Sequence, residues 1–102
     1  MYINVYMSKF FISIDQGTTS SRAVLYNASF DQLSQEQKEF KQYYPAEGLV
    51  EHDPEEIWRS VFETTKSLMT KNEVKSEDII SIGITNQRET VMLWDNKGKV
   101  LD

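Results

Sequence analysis

The sequence predicts an α/β fold in which a mixed β-sheet carries a flanking helix. Three observations predict this fold: an aromatic and β-branched run at residues 10–14, a clear helix start at Asp53 and Pro54, and an isoleucine-rich run at residues 79–84. Because strand patterns stand on both sides of the helical pattern, a sheet with the helix packed on it is the natural architecture.

The first three strands follow one another closely. Residues 10–14 are apolar and end at the turn-forming Asp15, Gln16 and Gly17, which indicates a buried strand that enters a tight turn. Residues 21–26 supply a second apolar run, so the two strands are predicted to form a hairpin. The segment 32–42 is more polar and is predicted to be an edge strand.

The helix is predicted to begin after Asp53 and to end near Lys71. Asp53 is a good N-cap, Pro54 suits the first helical position, and Glu56 stands where it would complete a capping box. Its apolar residues recur with a spacing near 3.6 and predict one stripe buried against the sheet. They are Ile57, Trp58, Val61, Phe62, Leu68 and Met69. Trp58 and Phe62 are interpreted as core residues.

The last strands surround a turn. Residues 79–84 are dense in isoleucine, which is typical of a central strand covered on both faces. With one helix on one side only, the other face of this strand would be wet, which suggests further elements that cover it. Residues 91–94 predict another strand, and residues 95–98 a hairpin turn with Gly98 at a positive φ. Residues 99–101 begin the return strand.

Composition excludes several functional classes. The chain has 102 residues and a net charge of −5, with 16 acidic against 11 basic residues, so a nucleic-acid partner is not expected. It has no cysteine, which fits a reducing cytoplasm. Its longest apolar run near the N-terminus is far shorter than a membrane span, so no membrane partner is expected. Residues 1–9 are interpreted as an N-terminal extension and residues 10–102 as a partial domain.

Residues 15–22 have the composition of a site for a polyphosphate. Such a ligand requires free backbone amides, hydroxyl donors and a cation. Gly17 lets the backbone turn close to the ligand, and Arg22 supplies the charge. The hydroxyls come from Thr18, Thr19 and Ser20, and Asp15 could hold Mg²⁺ through water. The alternative is a hairpin turn that is merely rich in turn formers, although four successive hydroxyl residues followed by arginine have no obvious folding purpose there.

A second polar segment, residues 83–90, follows the end of the isoleucine-rich strand, where ligands usually bind in open α/β sheets. Arg88 can donate several hydrogen bonds and Glu89 can accept two, which suits the hydroxyls of a polyol. The alternative is an exposed ion pair without function. His52 is the only histidine and is predicted to decorate the loop before the helix, so a zinc site is not expected.

Residues 15–22, 50–58 and 83–90 together resemble the glycerol kinase branch of the carbohydrate kinase family. The resemblance extends from about residue 10 onward and implies the N-terminal part of a ribonuclease H-like, actin-like ATPase domain. It implies ATP-dependent phosphorylation of glycerol to glycerol 3-phosphate with ATP and Mg²⁺ as cofactors. Family members are roughly five times longer, and the aspartate that deprotonates glycerol lies downstream of the residues present here.

The resemblance also implies a role for each matching residue. Thr18, Thr19, Ser20 and Arg22 correspond to contacts with the nucleotide phosphates, Asp15 to the metal-associated aspartate, and Arg88, Glu89 and Thr18 to contacts with the substrate. No catalytic residue is assigned within this chain. The expected partners are glycerol, ATP or ADP, and the C-terminal remainder of the kinase, in a homo-oligomeric full-length protein. Alternatives are a related sugar or polyol kinase, or a truncated nucleotide-binding or interaction module without catalysis.

Overall fold

A computed structural model describes residues 9–48, 50–87 and 92–101. The strands are β1 Phe10–Gln16, β2 Ser20–Asn27, β3 Gln32–Glu39, β4 Gln42–Tyr43, β5 Glu51–His52, β6 Ile79–Thr85, β7 Leu93–Trp94 and β8 Val100–Leu101, and the α-helix is α1 Pro54–Lys71. The main sheet has the order β3-β2-β1-β6, with β6 parallel to β1 and the other neighbours antiparallel. The predicted mixed sheet with a flanking helix is confirmed.

The hairpin of β1 and β2 supplies most of the core. Ile12 pairs with Leu25 and Ile14 pairs with Ala23, and all four side chains are buried on the face that α1 covers. Successive residues of a strand point to opposite faces, so the alternation in β1 decides which of its residues meet the helix. Leu68 of α1 closes this core and is fully buried.

The third strand lies at one edge of the sheet, as predicted, but it ends earlier than residue 42. β3 stops at Glu39, and the next residue, Phe40, turns inward and is buried. The chain then pairs Gln42 and Tyr43 with β5 in a separate two-stranded ribbon.

The helix begins as predicted, although its capping differs in one detail. The Asp53 carboxylate accepts a hydrogen bond from the Glu55 amide at 2.9 Å, and Pro54 occupies the first turn. Glu56, which was predicted to turn back to Asp53, instead accepts a hydrogen bond from the Tyr43 hydroxyl at 2.6 Å. This contact raises the pKa of the Tyr43 phenol and holds β4 against the first turn of α1.

The predicted apolar stripe of α1 is confirmed for Leu68, which is buried, and for Val61 and Met69, which pack against the core, but it is wrong for Trp58 and Phe62. The buried residues are Ser60, Thr64 and Leu68, spaced four apart, whereas Trp58 and Phe62 are 63% and 52% exposed. α1 lies over β2 and β3, so the flank that carries Trp58 and Phe62 has no strand beneath it. Their rings lie 6.2 Å apart and contact each other instead of forming a core.

The isoleucine-rich strand is an edge strand within the described part of the chain, which corrects the prediction of a strand covered on both faces. Ile80, Ile82 and Ile84 are exposed because α1 does not reach over β6. Its parallel pairing with β1 has a functional consequence. The carboxyl ends of β1 and β6 meet at one edge of the sheet, where Asp15 lies opposite Thr85.

The final hairpin is confirmed, with shorter strands than predicted. β7 pairs with β8, and Gly98 adopts φ 83° in the turn while its amide donates to the Asp95 carbonyl oxygen at 3.0 Å. Val91, the predicted start of this strand, lies outside the described residues. Across residues 9–48, 50–87 and 92–101, no helix is both long and apolar enough to cross a membrane.

Candidate functional site

The turn between β1 and β2 contains residues 17–19, the centre of the predicted phosphate site. The Gly17 amide donates to the Ser20 carbonyl oxygen at 2.9 Å and closes the turn. A Cβ at position 17 would lie 3.2 Å from that same oxygen, so a larger residue would require the Ser20 carbonyl to shift by a few tenths of an ångström. Glycine therefore avoids a tight contact within the turn.

Two hydrogen bonds from the end of β3 anchor this turn. The Phe40 amide donates to the Thr19 carbonyl oxygen at 3.1 Å, and Gln37 Nε2 donates to Ser20 Oγ at 2.8 Å. Because Ser20 Oγ accepts in that contact, its own hydrogen remains available to another acceptor. Thr18 and Thr19 are exposed. The turn thus combines a fixed backbone with accessible hydroxyl residues.

Asp15 and Arg22 lie side by side on the face opposite α1. They are cross-strand neighbours in β1 and β2, and Arg22 Nη2 lies 3.5 Å from Asp15 Oδ2. Both side chains are about half exposed, so solvent screens their attraction and the pair contributes little to stability. A cationic guanidinium group and a carboxylate are therefore both accessible beside the turn.

Ser21 does not belong to the row of hydroxyls that faces solvent. It is fully buried, and its Oγ lies 2.7 Å from Ser60 Oγ in α1. The fourth hydroxyl residue therefore has a folding purpose that the sequence interpretation missed. The alternation in β2 is the signal that could have revealed it, because Ser21 shares a face with the core residues Ala23 and Leu25.

The polar segment after β6 lies beside the turn. The Gln87 amide is directed at Gln16 Oε1 at 3.5 Å, and Gln16 Nε2 donates to the Gly17 carbonyl oxygen at 2.7 Å. The structure thus brings together the two segments selected from the sequence. The predicted substrate residues Arg88 and Glu89 follow Gln87 directly in the sequence and lie outside the described residues.

His52 does not decorate a loop as predicted. It lies in β5, where its ring is nearly perpendicular to that of Phe40 with the ring centroids 5.2 Å apart. In the described ranges, no cluster of three or more His, Asp or Glu side chains could hold a metal ion. Asp15 alone still suits Mg²⁺, which binds through one or two carboxylates, phosphate oxygens and water.

The comparison with protein families decides where this chain belongs. Residues 10–102 match the N-terminal domain of the FGGY family of carbohydrate kinases. The chain belongs to the FGGY family. The predicted resemblance to this group of kinases is confirmed.

Curated relatives of this FGGY chain include glycerol kinases from several bacteria. The glycerol kinase of Caldanaerobacter subterraneus is 52% identical over 94 residues, which cover 91% of this chain and 19% of that enzyme. The glycerol kinase of Chelativorans is 52% identical over 89 residues, 87% of this chain and 18% of that enzyme. The chain thus spans about a fifth of the length of these relatives.

Solved structures share the fold. Plasmodium falciparum glycerol kinase with ADP has a TM-score of 0.76 and 33% identity, covering 92% of this chain and 19% of that one. Xylulose kinase from Lactobacillus acidophilus has a TM-score of 0.82 and 22% identity over 92% of this chain and 19% of that one. The chain therefore has part of the actin-like ATPase fold of the FGGY kinases. The individual roles of the site residues, the boundary at residue 9, the cytoplasmic location and the homo-oligomer stay predictions.

Proposed function

We propose that this chain is the N-terminal part of an ATP-dependent kinase that converts glycerol to glycerol 3-phosphate. The observation that carries the proposal is the meeting of the β1–β2 turn and the segment after β6 at one edge of the sheet. Direct phosphoryl transfer requires donor and acceptor to be held next to each other. The glycerol kinase relatives support glycerol as the acceptor.

The turn would bind the nucleotide phosphates. Thr18, Thr19 and Ser20 would donate hydrogen bonds to phosphate oxygens, and Arg22 would provide a positive charge. Because the Arg22 guanidinium lies beside Asp15, a phosphate that engages Arg22 would free the Asp15 carboxylate to hold Mg²⁺. When bound, Mg²⁺ supplies neutralisation of the charge on the phosphates.

The segment after β6 would bind the acceptor. Arg88 would donate to glycerol hydroxyls and Glu89 would accept from them, with Thr18 contributing from the turn. The family resemblance assigns the general base to a downstream aspartate, so we expect no turnover from residues 1–102 alone. Residues 1–102 would position the substrates but would lack the base and the other substrate contacts, so phosphoryl transfer would not occur.

A related sugar or polyol kinase is the second candidate, because the structural neighbours also include xylulose and gluconate kinases. The fold is common to all of these enzymes, so the acceptor must be tested directly. Glycerol-dependent ADP release should be measured on the product of the complete reading frame that contains this chain, beside xylulose and gluconate. Higher kcat/KM with either sugar than with glycerol would contradict glycerol as the substrate.

Arg88→Ala tests the site assignment in the same protein. Loss of a charged hydrogen bond to glycerol should lower kcat/KM for glycerol by about 10- to 150-fold. Arg59→Ala, which removes an exposed arginine of α1, is the matched control and should leave kcat/KM unchanged. If that reading frame encodes only this chain, the same two variants are compared in a chimera. In the chimera, this chain replaces the matching segment of the Caldanaerobacter enzyme. Normal glycerol turnover by Arg88→Ala would refute the assignment.

A further inference from the structure

Gln16 is the last residue of β1 and one of the few polar side chains in the interior. It is 8% exposed and shares the inner face of β1 with Ile12 and Ile14. A buried carboxamide costs free energy unless both its ends are hydrogen-bonded. Its partners therefore show what this side chain does in the fold.

The two ends of the Gln16 carboxamide contact the two candidate binding segments. Nε2 donates to the carbonyl oxygen of Gly17, the first residue of the turn, at 2.7 Å. The amide of Gln87, the residue directly before Arg88, donates a long hydrogen bond to Oε1 at 3.5 Å. One side chain thus links the turn to the backbone of Gln87, which lies 71 positions after Gln16 in the sequence.

The orientation of this carboxamide follows from its partners. Turning it by 180° would set the amide nitrogen of Gln16 against the Gln87 N–H and its oxygen against the Gly17 carbonyl oxygen. Both new contacts would be repulsive, donor to donor and acceptor to acceptor. Only one orientation matches the hydrogen-bonding groups of both segments, so the Gln16 side chain links their backbones.

We propose that Gln16 is a positioning residue that couples the nucleotide-phosphate turn to the acceptor segment. The inference rests on the proposed function, because it assigns ATP to the turn and the polyol to the segment after β6. Gln16 contacts neither ligand and acts through the backbone of Gly17 and Gln87. Since coupling between two binding sites is reciprocal, its loss should weaken the effect of each ligand on the other.

The test uses the active full-length protein or chimera with Gln16→Met, which keeps the length of the side chain and removes both hydrogen bonds. Gln16→Asn, which keeps the carboxamide but is too short to reach both partners, serves as the second variant if Gln16→Met does not fold. Gln35→Met, on the exposed surface of β3, is the matched control. We expect KM for ATP and KM for glycerol each to rise about threefold to tenfold, with Gln35→Met unchanged.

Calorimetric titration supplies a readout that a purely structural role would not move. Affinity for a non-hydrolysable ATP analogue is measured with and without saturating glycerol, and the ratio of the two should approach one in Gln16→Met. A lower melting temperature with both KM values and this ratio unchanged would overturn the proposal, as would a rise in KM for ATP alone. If the unmodified protein phosphorylates another polyol but not glycerol, the proposed function fails, and Gln16 is tested with that polyol in place of glycerol.

Discussion

Ser60→Ala would leave the buried hydroxyl of Ser21 without an acceptor, and the structure predicts an asymmetric effect on stability. Ser60 Oγ donates its single hydrogen to the Ile57 carbonyl oxygen at 2.7 Å, so Ser21 is the donor in the 2.7 Å contact between the two hydroxyls. Removing the Ser60 hydroxyl leaves the fully buried Ser21 donor without an acceptor, whereas removing the Ser21 hydroxyl leaves Ser60 still hydrogen-bonded to Ile57.

The magnitudes follow from this arrangement. Leaving the Ser21 hydroxyl without an acceptor costs about 1–3 kcal/mol of folding free energy. About 0.5 kcal/mol of this is recovered because alanine has a higher helix propensity than serine. Ser21→Ala should cost only about 0.5–1.5 kcal/mol, the net contribution of one hydrogen bond. In the double variant no buried donor lacks an acceptor, so Ser60→Ala should cost almost no stability once Ser21 is already alanine.

Urea unfolding followed by far-UV circular dichroism measures the four members of this cycle. Ser67→Ala, a partly buried position on the same helix, is the control for helix propensity. The two single substitutions should be non-additive by about 1 kcal/mol or more, with equal m-values throughout. The reasoning is refuted if Ser60→Ala is as stable as Ser67→Ala, or if the two single effects simply add.

Two further predictions concern the sheet and an ion pair. Ile14 and Ile84 are paired in neighbouring strands but are 7% and 72% exposed. In urea unfolding, Ile14→Ala should therefore lower the free energy of unfolding by about 2–5 kcal/mol and Ile84→Ala by less than about 1 kcal/mol. Equal losses would contradict the edge position of β6. The hydrogen bond from Lys38 lowers the pKa of Glu63 from its ordinary 4.5, so the stability contributed by ionised Glu63 is present above that value and is lost as the pH falls through the lowered pKa. Lys38→Met should therefore lower the urea midpoint at neutral pH and not in strong acid, while a pH-independent loss, or an equal loss in the control Lys66→Met, would contradict this.

Much of the fold was predictable because its signals are local. The helix start depends on Asp53 and Pro54, which satisfy the first turn within three residues of sequence. The final turn depends on Gly98, whose positive φ is a property of one residue. The β1–β2 turn likewise depends on the close approach of Gly17 to Ser20. Each of these features is determined by atoms that are neighbours along the chain.

The errors in prediction share a different cause. The sequence pattern of α1 marked Trp58 and Phe62 as buried because hydrophobic periodicity shows which residues share a side and not which side meets the sheet. The helix lies over β2 and β3, so its buried centre is the small and polar Ser60 and Thr64. Likewise, six residues rich in isoleucine predict a strand but do not reveal its place in the strand order.

The sequence by itself determined the local elements, the hydroxyl-rich turn beside Asp15 and Arg22, and the polar segment that follows the isoleucine-rich strand. Only the tertiary structure decided that Gln16 contacts both segments and that Ser21 faces Ser60. Gln16 and Gln87 are 71 positions apart and meet because β6 lies parallel to β1. Ser21 and Ser60 are 39 positions apart and meet because α1 covers β2. Such contacts depend on the order and direction of strands, which the long-range packing of the core decides and no local pattern encodes.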